Sequence, residues 1–257
     1  MTHRREPHIH FDEAGDEHRP LIVLVHGAMD RSAGLLKLSR RLDHDYRVLR
    51  YDRRGYGRSN PHPGPFTMPY QVDDLLALVG ERPVVIVGHS YGGNVALATA
   101  ARRPDLVRGV VVYESPMSWF PWWPKVTASS AAIEAAHDTE HAAEVFMRRL
   151  IGDARWDALP ERTRVTRRAE GAALVNELAD LRAHAPWSPE QITVPVWAGV
   201  GERASVHQQR GMRELGEILP ECTVVELPGC HHMANATHPD LFRHLLIDPL
   251  IERVGAW

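Results

Sequence analysis

The stretch VVIVGHSYGGNVALA, residues 84–98, constrains the fold more than any other part of this 257-residue chain. It opens as a run of β-branched residues, passes through Gly88-His89-Ser90-Tyr91-Gly92-Gly93, and closes as a helix former. A strand that turns so sharply into a helix puts one side chain proud of a sheet, and the residues two positions away must be small. Gly88 and Gly92 meet that demand, and Gly93 allows the helix to approach the sheet closely. The same turn leaves amide donors and the positive end of a helix dipole beside Ser90, an arrangement that favours a developing oxyanion.

Similar apolar runs recur along the chain: residues 9–11, 21–26, 47–52, 107–113, 194–200 and 223–227 read as further strands. Segments with helical spacing separate them, at 33–42, 68–79, 92–103, 207–219 and 239–254. This order predicts an α/β fold, a doubly wound and mostly parallel sheet covered on both faces. Between Glu114 and Pro195 the alternation stops, and residues 131–152 and 164–184 read as helices. The expected organisation is therefore a core of residues 1–114 and 195–257 with a helical insertion, a lid, at 115–194. That insertion opens on SPMSWFPWWPK, where Trp119, Phe120, Trp122 and Trp123 cluster among prolines. Clustered loop aromatics serve core packing or ligand contact. Trp119, Trp122 and Trp123, with Met29, are the candidate substrate-binding residues.

Thirty basic against 33 acidic residues, intermixed, give a formal charge of −3 and no field suited to nucleic acid or anionic lipid. A small-molecule partner is expected. No apolar stretch reaches the 18 residues of a membrane span, and no apolar segment follows the charged start MTHRREPHIH, so a soluble, cytoplasmic protein is expected. Cys222 and Cys230 flank a short strand and are expected to be free thiols. His8 and His10, like the pair His231-His232, lack a third ligand at metal-site spacing.

Nucleophilic chemistry at Ser90 requires oxyanion donors and a base. VLVHGAMD ends a strand in His26-Gly27, so the Ala28 amide can act with that of Tyr91. The base must come from LPGCHHMANATHP after the last strand, where two histidines are adjacent. Through HG at 26–27, D-x-x-G-x-G-x-S at 52–59, GHSYGG at 88–93 and this histidine loop, the chain resembles the α/β-hydrolase fold enzymes of the esterase, lipase and carbon–carbon hydrolase group over nearly its full length. In that family the catalytic histidine commonly stands several residues before a proline that starts the last helix. The spacing from His232 to Pro239 matches.

One family position is altered. The acid usual after the next-to-last strand falls here in AGVGERAS, where Ala204 occupies the aspartate position. Some members of the fold carry the acid at the end of the strand after the nucleophile helix, and VVVYESP places Glu114 there, with Glu202 as the alternative. The resemblance thus implies a Ser90–His232–Glu114 triad that cleaves a carboxylic ester or lactone through an acyl-enzyme, without cofactor or metal. Carbon–carbon cleavage and acyl transfer use the same residues, and a non-catalytic binding protein is the reading of another class. A serine nucleophile argues against dehalogenase and epoxide hydrolase chemistry, which in this fold needs aspartate.

Overall fold

The computed structural model describes residues 8–255 and 257. Seven strands form one sheet: β1 (Phe11–Ala14), β2 (Leu21–Val25), β3 (Arg47–Tyr51), β4 (Val84–His89), β5 (Val107–Tyr113), β6 (Val196–Gly201) and β7 (Cys222–Leu227). Their spatial order is β1-β3-β2-β4-β5-β6-β7, with β1 antiparallel to β3 and all other pairs parallel. The sequence places the first strand two residues early. What sets it is an edge pairing whose Asp12 and Glu13 meet Arg50, Arg58, Arg47 and Arg82 across the surface, a polar signal that apolar periodicity does not carry.

Both faces of the central strands are dry, which explains their continuous apolar runs. Val23, Val25, Ile86, Val110 and Val112 pack on one face under α2 (Met68–Val79) and α3 (Tyr91–Arg102), while Ile22, Leu24, Val85, Val87 and Val111 pack on the other. There they meet α1 (Leu36–Leu42) and the C-terminal helical segment. That last segment, read as one helix over 239–254, widens into a π turn at 243–247 just before Pro249, which has no amide to continue the α-helical ladder.

Helices α4 (Ala128–Glu134), α5 (Thr139–Ile151), α6 (Asp153–Asp157), α7 (Glu161–Arg168) and α8 (Gly171–Ala183) lie between β5 and β6. Each of the two helices expected there is divided. Asp138 stops the first, because its side chain caps α5 by accepting from the His141 amide at 3.1 Å. The second breaks before Gly171, where any Cβ would stand 1.8 Å from the Thr139 carbonyl oxygen. These helices build a third apolar cluster around Phe146, Met147, Trp156, Leu174 and Leu178, which also takes in Met29, Tyr56 and Phe66. Beyond β6 the chain forms α9 (Val206–Ile218), whose first turn is fixed by a capping box between Ser205 and Gln208.

Candidate active site

Four chain segments meet at the carboxyl ends of the parallel strands, where sheets of this kind collect functional groups. Ala28 and Met29 follow β2, Ser90 joins β4 to α3, Glu114 follows β5, and His232 stands in the loop after β7. Among the described residues only three other than glycine have φ in the left-handed region: Met29 at 55°, Ser90 at 54° and Glu114 at 48°. All three belong to this cluster. Such conformations cost roughly 1–3 kcal/mol each and persist only where the surroundings impose them.

At Ser90, with ψ −125°, the surroundings are backbone. A Cβ on Gly88 would lie 2.4 Å from the Gly92 oxygen, and one on Gly92 would lie 2.3 Å from the Val25 oxygen. The turn therefore closes only over glycine at both places. Among the described residues neither the Tyr91 nor the Ala28 amide has a hydrogen-bond acceptor, so both are available to an oxyanion.

Glu114 is 1% exposed, and both of its carboxylate oxygens are used. Oε1 accepts from the Gly201 amide at 3.0 Å, and Oε2 lies 2.7 Å from His232 Nδ1. Gln208 Nε2 stands 2.9 Å from the same nitrogen, while its Oε1 accepts from the Ser205 hydroxyl at 2.8 Å. One ring nitrogen cannot donate to the carboxylate and accept from the amide. A hydrogen bond to a charged group contributes about 1.5–3 kcal/mol against about 1 for a neutral one, so Nδ1–H donates to Glu114 and Nε2 keeps its lone pair. His232 Nε2 thus has the protonation state of a base. Ser90 Oγ makes no hydrogen bond to a described residue, but Ser90 and His232 line the same cavity.

The histidine loop is held from below. Tyr113 Oη donates to the His231 carbonyl at 2.9 Å, and His89 Nε2 donates to that of His232 at 2.8 Å. His231 is exposed and lies outside the cavity lining, whereas His232 faces in. Glu202 is engaged elsewhere, its carboxylate accepting from the Gly229 amide at 2.6 Å.

Burial, with the nearby His232 adding to it, holds His89 down to about 3, and burial with Arg53 pushes His26 well below its ordinary value. Both rings stay neutral in the folded protein at pH values where the unfolded chain takes up protons. Below a pH of about 6.5 the unfolded state therefore gains, by up to about 1.4 kcal/mol per pH unit for each ring. Urea unfolding at pH 7.5, 6.0 and 5.0 is expected to show stability constant above that point and falling below it. His89→Gln should flatten the fall, and an unchanged slope would show that His89 does not contribute.

The cavity over Ser90 measures about 370 Å³ and is walled by Ala28, Trp123, Phe146, Arg149, Leu178 and Gln208 among others. Of the candidate substrate-binding residues, Trp123 lines it. Trp119, Trp122 and Met29 do not, and this corrects the expectation from the aromatic cluster. Successive turns, Phe120 amide to Met117 oxygen and Trp123 amide to Phe120 oxygen, pack the rings one on the next, so that only the last of them reaches the cavity. Trp119 packs edge-on against Trp187, Trp122 lies under Arg210 with 4.2 Å between guanidinium carbon and ring centre, and Met29 is buried in the third cluster. Gln208, Phe146, Arg149 and Leu178 also line the cavity, and no catalytic motif marks them in the sequence. Only Gln208 had a local signal, the S-x-x-Q of a capping box. A groove of about 410 Å³ between α2, α3 and α8 lies apart from this cluster and is lined by no serine, threonine or cysteine.

An α/β sheet with a serine raised on a strand-to-helix turn defines a hydrolase class. The chain belongs to the alpha/beta hydrolase family, whose model matches residues 22–245, and it is a hydrolase. It is similar to the 2-(acetamidomethylene)succinate hydrolase of Mesorhizobium japonicum, 24% identical over 86% of this chain and 84% of the relative. A sn-1-specific diacylglycerol lipase of Mus musculus is 26% identical over 89% and 80%. Among solved structures, a thermophilic esterase from Thermogutta terrifontis superposes with a TM-score of 0.75 at 21% identity, covering 96% of this chain and 93% of that one. Among the described residues no helix is long and apolar enough to cross a membrane.

Proposed function

We propose that the protein hydrolyses a carboxylic ester or lactone carrying a small apolar or aromatic group, through an acyl-enzyme on Ser90. The observation that carries this reading is the 2.7 Å contact between buried Glu114 and His232 Nδ1 at the mouth of the nucleophile turn. His232 Nε2 takes the Ser90 proton as Oγ attacks the carbonyl carbon, while the Ala28 and Tyr91 amides receive the oxyanion. The same histidine returns that proton to the leaving alcohol. Water then adds to the acyl carbon with His232 again as base, releasing the acid and restoring Ser90. The lipase and hydrolase names among the relatives support hydrolytic chemistry at this fold.

The inserted residues 115–194 act as the lid domain over the core of 1–114 and 195–257, and supply Trp123 from their opening turns and Phe146 and Leu178 from α5 and α8 to the acyl pocket. About 370 Å³ is near the small end of ligand pockets, which suits a short or single-ring acyl group. A small-molecule substrate is the expected partner, and the unpaired thiols of Cys222 and Cys230 support a reducing, cytoplasmic setting.

Initial rates on aryl esters from acetyl to dodecanoyl test the reading. Wild type is expected to prefer short chains, and Trp123→Ala to move the optimum to longer ones, since each added buried methylene contributes about 0.8 kcal/mol where space exists. No turnover of any ester would overturn the ester assignment, and an unmoved optimum would remove Trp123 from the pocket.

A further inference from the structure

Arg53 and Glu177 are both wholly buried, and the chemistry at Ser90 uses neither. Their pairing is bidentate, 2.6 and 3.1 Å, with the Tyr56 hydroxyl donating to Glu177 at 2.6 Å. Two ions taken out of water are costly, so what the pair holds in place is informative. Arg53 is also bonded to the segment that leads into Ala28: Nε donates to the His26 carbonyl at 3.0 Å, and Nη2 to that of Gly27 at 3.2 Å. Glu177 belongs to α8.

A second set of contacts reaches the same segment from α7 and its end. Arg167 donates to the Met29 carbonyl at 2.6 Å, and buried Glu170 accepts from Arg31 at 2.7 Å and from the Gly57 amide at 2.9 Å. Between these ties the Met29 side chain is packed into the apolar cluster of the inserted helices. The backbone on either side of Ala28 is therefore held at His26 and Gly27 by Arg53, itself paired to α8, and at Met29 by Arg167 of α7, while the Arg31 side chain is tied to Glu170.

We propose that Arg53, Glu177, Arg167 and Glu170 are positioning residues for the Ala28 oxyanion donor, so that the α7–α8 half of the inserted helices is a fixed part of the catalytic frame. The inference rests on the proposed acyl-enzyme reading. It follows from the contacts that the strained φ of Met29 is imposed from the inserted helices as well as from the sheet. A donor displaced by about 1 Å can cost roughly a hundredfold in rate.

The neighbouring arginine provides a control. Arg54 forms an equally close pair with Asp74 of α2, 2.7 Å at each nitrogen, and its remaining hydrogen bond goes to the Pro65 carbonyl rather than to residues 26–31. Glu177→Gln and Asp74→Asn should therefore both lower Tm, but only Glu177→Gln should lower kcat on a short aryl ester, by roughly 10- to 100-fold with KM within about twofold. Affinity for an alkylboronic acid, which forms a tetrahedral anion on serine, should fall by the same factor. Should Glu177→Gln fail to fold, Arg167→Gln at the half-buried Met29 contact carries the test, with the same split expected.

Equal loss of kcat in the two pair variants, or unchanged kcat and boronate affinity in Glu177→Gln or Arg167→Gln, would overturn the inference while leaving the ester reading intact. Wild-type protein that neither turns over esters nor binds the boronate would instead overturn the reading on which it rests.

Discussion

Ser90→Ala is expected to lower kcat on a short aryl ester by about a millionfold, with Tm close to that of wild type. Alanine keeps the Cβ that the turn already accommodates and removes only the hydroxyl, which among the described residues makes no hydrogen bond that the fold would miss. The loss is large because the serine and histidine of such an assembly act as one unit; removing the nucleophile costs about as much as removing the whole triad. What survives, about 10³–10⁴ over water, comes from the oxyanion donors and substrate binding. Single-turnover kinetics read the effect, and the acyl-enzyme should be visible by intact mass in wild type alone. Activity within tenfold of wild type would remove Ser90 from the reaction.

Glu114→Gln is expected to cost about 10⁴-fold in kcat, and the second partner of His232 Nδ1 explains why. Once the carboxylate is gone, nothing favours a proton on Nδ1 over one on Nε2. The Gln208 amide, 2.9 Å away, then donates to Nδ1 and stabilises the tautomer whose Nε2 already carries a proton. That ring cannot accept one from Ser90. It follows that Gln208→Glu in the Glu114→Gln background should restore a measurable part of the loss, because a carboxylate returns to Nδ1. Glutamate also suits the third position of the α9 capping box, so the helix start survives. Glu202→Gln should change kcat by less than about threefold, its carboxylate being engaged at Gly229. A Glu114→Gln enzyme near wild-type rate, or a Glu202→Gln enzyme that loses as much, would move the acid elsewhere.

The two cases differ in how their residues could be read from the chain. Ser90 is specified by neighbours within three positions: a β-branched run, small residues where backbone crowds, and a helix former after them. Glu114 carries no such local signature: Ala204 stands where the family usually has its acid, and only the resemblance to members with a strand-end acid points to Glu114. The contact that gives Glu114 its significance spans 118 residues.

Strand and helix periodicity depends on φ/ψ preference and on which face of each element is dry. Both are local, and so β5 and α2 were legible in the sequence to within a residue or two, whereas the spatial order of the strands is a property of the folded sheet. The misplacements come from contacts that periodicity does not carry: the local Asp138 cap, and two between distant segments, the polar edge pairing at β1 and the crowding of Gly171 against Thr139. Which ring of the WFPWW run faces Ser90 was decided by two turns and by where α8 and α9 lie. Gln208 beside His232, and Arg53 reaching Glu177 across 124 residues, were decided in the same way. The chain by itself determined the strands, the glycine turn and its serine, since each rests on neighbours a few residues away. Only the tertiary structure decided which side chains converge on that serine, because a hydrogen bond of 2.7 Å between distant segments depends on the packing of every element between them.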